Sequence, residues 1–319
     1  MKLPHPHVLW ALAGIFTILV VATVAVWAIR RLRPGLDLGE VPLRVRTWWI
    51  MAGVFTVALV LSRNVSLVFF AFLSFLALKE YLSLIPTRRV DRQVLLLAYL
   101  AVPLQYWWVA TEWYLMFLLW VPVYMFLVLP LRMVLDGETS GFLRAAGTLH
   151  WGLMTMVFSL SHVAYMMVLV PPAGRPQTNA AGTPIGGAPL VLFLVFLTQF
   201  NDVAQFLFGK SFGRHKVVPK VSPNKTYEGL LGGLATTVLL AWLLAPWLTP
   251  FTPPQAIAAG VIIGLGGFVG DIVISALKRD LGIKDSGNLL PGHGGILDRV
   301  DSLLYTAPLM FHFAAYLHF

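Results

Sequence analysis

The chain has 319 residues, of which 58% are hydrophobic and only 12% are charged, and its mean hydropathy is +0.78. Soluble domains carry about 25% charged residues, so this composition excludes a soluble globule and indicates a lipid-embedded protein. The absence of cysteine excludes disulfides, thiolate metal sites and cysteine nucleophiles. The formal charge of +9 does not predict a nucleic-acid partner, because in a membrane protein the location of the charges matters more than their sum.

The first apolar run, residues 8–29, is predicted to be a retained transmembrane helix. A cleaved signal peptide has a shorter apolar run with its positive charge in front of it. Here only Lys2 precedes the run, whereas Arg30, Arg31 and Arg33 follow it. The retained helix is therefore favoured over the cleaved signal.

Further apolar runs, bounded by charges, proline or glycine, predict an all-α polytopic transmembrane bundle of about ten spans. The candidate spans are residues 8–29, 47–61, 65–85, 94–110, 113–135, 149–170, 189–208, 228–248, 256–277 and 302–318. Only residues 62–64 separate the second and third runs, which form either a tight hairpin or one broken helix, so the expected number is eight to ten. We divide the chain into N-terminal transmembrane helices, residues 1–145, and a C-terminal catalytic transmembrane domain, residues 146–319.

The basic residues predict the orientation of these spans. With the N-terminus outside, ten spans place nineteen Lys and Arg residues on one side and only Lys2, Arg63 and Arg175 on the other, with Lys79 unassigned. Cytoplasmic loops of membrane proteins carry an excess of Lys and Arg. The nineteen therefore mark the cytoplasmic face, and in a bacterium the expected location is the inner (plasma) membrane.

Two segments on that face, residues 201–229 and 270–301, are far more polar than the rest of the chain. Asp202 and Asp271 lie inside apolar runs, where a carboxylate is costly and usually meets a cation in the bundle interior. One interpretation is a ligand for a divalent cation, which takes hard oxygen donors. The alternative is a buried ion pair, for which Lys278 is a candidate partner of Asp271.

The second polar segment combines carboxylates, glycines and cations. Asp298 and Asp301 follow a run of glycines whose backbone N–H groups can approach anionic oxygens closely. Nucleotidyl transfer needs carboxylate-held metal beside Lys and Arg, because charge on the phosphate chain must be neutralised. The cations available in this segment are Lys278, Arg279, Lys284 and Arg299.

The same two segments carry motifs that match a known family. The downstream motif reads Ser275-Ala-Leu277-Lys278-Arg279, then Lys284-Asp285-Ser-Gly287, then Leu290-Pro291-Gly-His293-Gly294-Gly295-Ile296-Leu-Asp298-Arg299-Val-Asp301. The upstream motif reads Gly209-Lys210-Ser-Phe212-Gly213-Arg214-His215-Lys216, then Pro219-Lys220-Val-Ser222-Pro223-Asn-Lys225-Thr226, then Glu228-Gly229. Together they resemble the phosphatidate cytidylyltransferase family over residues 199–318, whereas the N-terminal half resembles it only as a run of spans.

This resemblance implies a Mg²⁺-dependent enzyme, with K⁺ as a further cation, that joins CTP to phosphatidic acid and releases CDP-diacylglycerol and pyrophosphate. It implies that Asp271 and Asp298 bind metal, and that Ser222, Lys225 and Thr226 hold nucleotide phosphates. The full set of expected site residues is Lys225, Lys278, Arg279 and Asp298 for catalysis; Lys220, Ser222, Lys225, Thr226, Lys284, His293 and Arg299 for phosphate binding; and Asp202, Asp271, Asp298 and Asp301 for metal. The expected partners are CTP, phosphatidic acid and membrane lipids.

Two positions depart from the family pattern and indicate a divergent subfamily. Ile274 stands where family members often have Glu before Ser275. The opening of the upstream block, usually Asp followed by Thr or Ser and then Ala-Tyr, reads Asn201-Asp202-Val203-Ala204-Gln205-Phe206.

Two other functions compete with the cytidylyltransferase. The block Lys225-Thr226-Tyr-Glu228-Gly229 also fits CTP-dependent lipid kinases of the polyprenol-kinase type, whereas the 275–301 motif fits the cytidylyltransferases alone. A transporter with anion-binding half-helices is disfavoured, because no inverted repeat is visible and the polar residues collect at one face.

Two smaller patterns leave alternatives open. The Gly260-xxx-Gly264 and Gly266-xxx-Gly270 repeats predict close helix packing, either within one chain or between two copies in a homodimer. Glu80 is an acid inside the third apolar run, where pairing with Lys79, capping near the interface and a functional role are all open.

Overall fold

The computed structural model of the protein describes residues 6–33, 35, 37–88, 91–135, 137–170, 178–179, 182, 185, 187–287, 289 and 294–319. Of the predicted site residues, His293 lies outside these ranges.

The N-terminal half is helical over nearly all of its described residues. Its helices are α1 (Pro6–Leu32), α2 (Val41–Leu61), α3 (Arg63–Leu84), α4 (Arg92–Ala110), α5 (Tyr114–Leu119), α6 (Phe126–Leu135), α7 (Phe142–Gly152) and α8 (Leu160–Met166), and the π-helical turns Trp120–Met125 and Leu153–Ser159 join α5 to α6 and α7 to α8. The extended backbone of Ser62 separates α2 from α3, and its hydroxyl accepts a hydrogen bond from Val65 N at 3.2 Å. A serine in this conformation caps α3, so the two apolar runs are two helices.

The C-terminal half contains α9 (Gly187–Phe212), β1 (Lys216–Val218), β2 (Ser222–Thr226), α10 (Tyr227–Leu248), α11 (Pro253–Asp280), α12 (Leu297–Val300) and α13 (Leu303–His318). The strands form an antiparallel pair with Lys216 opposite Thr226 and Val218 opposite Ser222. This hairpin was not part of the all-α prediction. Pro219 and Pro223 lack the N–H donor that a helix interior needs, which favours a non-helical path here.

Eight helices in the described part of the chain are long and apolar enough to cross a membrane. They are α1, α2, α3, α4, the continuous stretch Tyr114–Leu135, α9, α10 and α11. The predicted spans 149–170 and 302–318 are also helical but fall outside this set, and α13 has only 16 residues where a span needs about 20. Large apolar side chains such as Trp10, Leu115 and Tyr316 are 76%, 60% and 90% exposed, as the lipid-facing surface of a membrane bundle requires. The predicted polytopic helical bundle is confirmed.

The glycines of α11 bring the helices of the C-terminal half together within one chain. A Cβ atom on Gly260 would lie 2.7 Å from Val238 Cα of α10, and one on Gly270 would lie 2.4 Å from the Asp301 carbonyl oxygen. Only glycine permits such close backbone approach. Both glycine repeats are therefore used for packing inside this chain, and a homodimer stays a prediction.

Candidate active site

The two polar segments meet where β2, α9 and α11 converge. Lys225, at the end of β2, places its Nζ 2.6 Å from Asp271 Oδ2 of α11 and donates a hydrogen bond to Gln205 Oε1 of α9 at 2.7 Å. The ring of Phe268, one turn before Asp271, lies 5.4 Å from the same Nζ. Only 17% of the Lys225 side chain and 23% of the Asp271 side chain is exposed, so solvent screens this pair weakly. Asp271 thus forms an ion pair with Lys225. The candidate partner named from the sequence, Lys278, pairs with Asp298 instead.

Two further carboxylates lie near Asp271. Asp202 of α9 and Asp301, between α12 and α13, each lie near enough to interact electrostatically with Asp271 and with each other. Ser302 Oγ donates to Asp202 Oδ1 at 3.1 Å, and Ser275 Oγ donates to Asp271 Oδ1 at 3.2 Å. We name Asp202, Asp271 and Asp301 the carboxylate cluster. Three carboxylates enclosed by helices are a setting that favours a bound cation.

A buried amide holds the helices that carry this cluster. Asn201 is fully buried on α9, its Oδ1 accepts a hydrogen bond from Thr237 Oγ1 of α10 at 3.0 Å, and its Nδ2 donates to the Gly264 carbonyl of α11 at 3.3 Å. Polar groups buried in a membrane bundle need such partners, because no water is available to them. Asn201 therefore fixes α9, α10 and α11 relative to one another directly beside Asp202.

Lys278 and Asp298 form a second, more deeply buried ion pair. Lys278 Nζ lies 2.7 Å from Asp298 Oδ1, and their side chains are 13% and 6% exposed. Asp298 Oδ2 accepts hydrogen bonds from Ser286 N at 2.9 Å, Ser286 Oγ at 2.9 Å and Gly295 N at 3.0 Å. Burial by itself would raise the pKa of Asp298, but Lys278 and these donors outweigh it and hold the pKa below its ordinary value. The ionised carboxylate thus joins the end of α11 to the segment that precedes α12.

Three of the predicted phosphate-handling residues have structural partners. Thr226 is 2% exposed and its hydroxyl caps α10 by accepting a hydrogen bond from Gly229 N at 3.1 Å. Ser222 begins β2, opposite Val218. Arg279 Nε donates to the Val221 carbonyl at 3.2 Å and so connects α11 to the turn of the β hairpin.

The remaining predicted cations differ in their surroundings. Lys220 and Lys284 are exposed, whereas Arg299 is half-buried and interacts electrostatically with Asp202 and Asp301. Its Nε is buried and has no hydrogen-bond partner among the described residues.

Comparison with known proteins assigns the chain to a family. A family model described as "Cytidylyltransferase family" matches residues 42–317, which is most of the chain. The chain belongs to this cytidylyltransferase family. The family predicted from the two motifs is confirmed, and the match also covers the N-terminal half from residue 42 onward, where neither motif lies.

Individual relatives match either nearly the whole chain or about half of it. A protein of Escherichia coli (strain K12) described as "Uncharacterized protein YnbB" is 47% identical over 306 residues, which cover 96% of this chain and 98% of that protein. The phosphatidate cytidylyltransferases of Staphylococcus aureus (strain COL) and Staphylococcus saprophyticus are 39% and 34% identical over 155 and 161 residues. Each of these two alignments covers 48% of this chain and 59% of the staphylococcal protein.

The carboxylate cluster of this cytidylyltransferase fits Mg²⁺ by the chemistry of its donors. No three carboxylate or imidazole groups in the described part of the chain are arranged as a complete metal centre. Mg²⁺ does not require one, because proteins usually hold it with one or two carboxylates together with substrate phosphates and water. The oxygens of Asp298 are engaged by Lys278, Ser286 and Gly295, and those of Asp271 by Lys225 and Ser275, so a metal at either residue would compete with these contacts. Metal binding by any of these residues stays a prediction.

Two residues next to the charged groups were missed as site residues in the sequence. Gln205 is 4% exposed, its Oε1 holds Lys225, and its Nε2 is buried without a partner among the described residues. Its spacing of four from Asn201 in a membrane helix was a signal that both amides share one helix face. Ser286 binds Asp298 with both its backbone and its hydroxyl, and no local pattern indicated that role.

Proposed function

We propose that this cytidylyltransferase acts on phosphatidic acid, joining it to CTP and releasing CDP-diacylglycerol and pyrophosphate. One observation carries the proposal: Lys225 of the upstream motif contacts Asp271, which lies four residues before the downstream motif, at 2.6 Å within the carboxylate cluster. A cation suited to phosphate and carboxylates suited to a divalent metal therefore occur together in a membrane-embedded site. The two staphylococcal relatives are named phosphatidate cytidylyltransferases, which supports phosphatidic acid as the acceptor.

In the proposed reaction an oxygen of the lipid phosphate attacks the α-phosphorus of CTP. The bond between that phosphorus and the oxygen leading to the β-phosphate breaks, and pyrophosphate departs with the electron pair. Lys225, Lys278 and Arg279 neutralise the charge that develops on the leaving group, so no covalent enzyme intermediate is needed. Mg²⁺ held by the carboxylate cluster would supply further neutralisation along the phosphate chain.

The fate of the CTP phosphates tests this function against the lipid kinase. Purified protein incubated with CTP, phosphatidic acid and Mg²⁺ is expected to transfer label from the α-phosphate into lipid. Label at the γ-phosphate is expected to leave as pyrophosphate, because the α-phosphorus is the atom attacked. A parallel incubation with a polyprenol supplies the hydroxyl acceptor that the kinase reaction needs. Appearance of γ-label in lipid there, with CDP as co-product and without α-label in lipid, would contradict the cytidylyltransferase reaction and identify a CTP-dependent kinase.

The identity of the lipid acceptor requires a separate set of incubations in that assay. Ile274 is fully buried in α11, so this chain has an apolar core residue where family members often carry Glu. A panel of phospholipid monoesters should therefore accompany phosphatidic acid. If label from the α-phosphate enters lipid only with another monoester, the enzyme is a cytidylyltransferase whose acceptor is that monoester and not phosphatidic acid.

We also propose that the active site faces the cytoplasm and that in a bacterium the membrane is the inner one. Because the chain has no cysteine, single cysteines can report the topology without a background. Ser211→Cys and Asp285→Cys, both at exposed positions, are expected to resist a membrane-impermeant thiol reagent in intact cells and to react after lysis.

The matched control is Asn64→Cys, at an exposed position in the predicted outside loop, which is expected to react in intact cells. The opposite pattern, with Ser211→Cys and Asp285→Cys labelled in intact cells, would reverse the proposed orientation.

A further inference from the structure

Glu80, near the end of α3, contacts the downstream motif from the N-terminal half of the chain. Its Oε2 accepts a hydrogen bond from Ile296 N at 2.9 Å, and its Oε1 accepts one from Leu297 N at 3.0 Å. The hydroxyl of Ser286 lies within hydrogen-bonding distance of Oε1 and of Asp298 Oδ2, and its single hydrogen is shared between these two acceptors. These partners, more than 200 positions away in sequence, take the place of the pairing with Lys79 that the sequence left open.

The backbone of the downstream motif closely surrounds the Glu80 carboxylate. A Cβ atom on Gly295 would lie 2.0 Å from Glu80 Oε1, and one on Gly287 would lie 3.1 Å from Oε2. Only the absence of side chains at these two positions lets the motif reach the carboxylate. The contact between α3 and the motif therefore depends both on the Glu80 carboxylate and on the glycines at positions 287 and 295.

Ser286 connects Glu80 to the buried ion pair. Its hydroxyl reaches Glu80 Oε1 on one side and Asp298 Oδ2, at 2.9 Å, on the other, and its N–H donates to the same Asp298 oxygen. Asp298 in turn holds Lys278 at 2.7 Å. A continuous series of polar contacts thus runs from α3 through the motif to the end of α11.

We propose that Glu80 is a positioning residue for nucleotidyl transfer. Its carboxylate holds residues 286–287 and 294–297 against α3 and thereby fixes Asp298 and Lys278 in the geometry that the reaction needs. A carboxylate that accepts several backbone N–H bonds makes stronger bonds than a neutral acceptor does. The effect on turnover rests on the proposed function, whereas the effect on the structure of the motif does not.

Hydrogen exchange of the folded protein in detergent tests the contact directly. Glu80→Gln keeps the side-chain size but replaces an accepting oxygen with an NH₂ group that opposes an N–H donor. The amides of Ile296 and Leu297 are expected to exchange about 10- to 100-fold faster than in the wild type, because charge-assisted bonds that close this segment are lost. Glu80→Asp, which keeps the acceptor, is expected to exchange at an intermediate rate.

Steady-state kinetics with CTP and phosphatidic acid provide the second readout. Glu80→Gln is expected to lower kcat by about 10- to 100-fold with a much smaller change in KM for CTP, because misplacement of catalytic groups affects the transition state most. Lys79→Gln, an exposed neighbour on the same turn of α3, is the matched control and is expected to behave as wild type in both measurements.

The two readouts separate this inference from the proposed function. Wild-type exchange at Ile296 and Leu297 in Glu80→Gln would overturn the role of Glu80, whatever reaction the enzyme catalyses. Faster exchange in a protein whose wild type transfers no cytidylyl group would support the contact and contradict the proposed function. If Glu80→Gln fails to insert, Gly295→Ala disturbs the same contact from the other side and is expected to give the same exchange pattern.

Discussion

Asp271→Asn is expected to reduce cytidylyl transfer on the order of 10²- to 10³-fold or more while the protein stays folded and in the membrane. Asparagine has nearly the same size as aspartate but lacks the charge that pairs with Lys225 and that a divalent cation requires. The measurement is the rate of CDP-lipid formation by purified variant and wild type over a range of Mg²⁺ concentrations.

Asp280→Asn is the matched control, because Asp280 is exposed at the end of the same helix and is expected to tolerate the change. Near-normal turnover of Asp271→Asn at saturating Mg²⁺ would remove Asp271 from the set of metal ligands. Asp301→Asn would then be the next substitution to test, since Asp301 lies in the same carboxylate cluster.

Lys278→Met is expected to lower the free energy of unfolding by roughly 3–5 kcal/mol and to remove most of the activity. The substitution leaves the Asp298 carboxylate buried beside α11 without its cation, and a buried charge without a counter-charge is costly. Denaturant-induced or thermal unfolding in detergent measures the stability, and the label-transfer assay measures the activity.

Arg44→Met is the matched control for this second prediction. It removes the 2.8 Å pair with Glu40, whose side chains are 54% and 65% exposed, and is expected to cost only about 0–1 kcal/mol. The double variant Lys278→Met with Asp298→Asn is expected to lose less unfolding free energy than the two single variants lose together, because no unpaired charge remains. Additive losses would show that the two side chains do not interact.

Several features of this protein follow from short stretches of sequence. The apolar runs predicted the membrane helices, since a helix that crosses lipid must be apolar over about 20 residues whatever its neighbours are. The motif at residues 275–301 predicted the family, because nucleotide chemistry places specific charged residues and glycines at short spacings. Ser62 illustrates the limit of such patterns: three polar residues between two apolar runs left a hairpin and a broken helix open, and the backbone conformation of one serine decided between them.

The pairing of the charged residues was decided only by the tertiary structure. Lys225 forms an ion pair with Asp271, and Lys278 forms one with Asp298, although Lys278 is the lysine nearer to Asp271 in sequence. Glu80 joins a motif more than 200 residues away. By itself the sequence predicted most of the charged residues of the candidate site and that they collect at one face of the membrane, but it did not predict Gln205 or Ser286. Which carboxylate meets which cation depends on how closely helices approach at glycines such as Gly270 and Gly295, because ionic contacts are decided by distances of a few ångströms between segments that local periodicity does not relate.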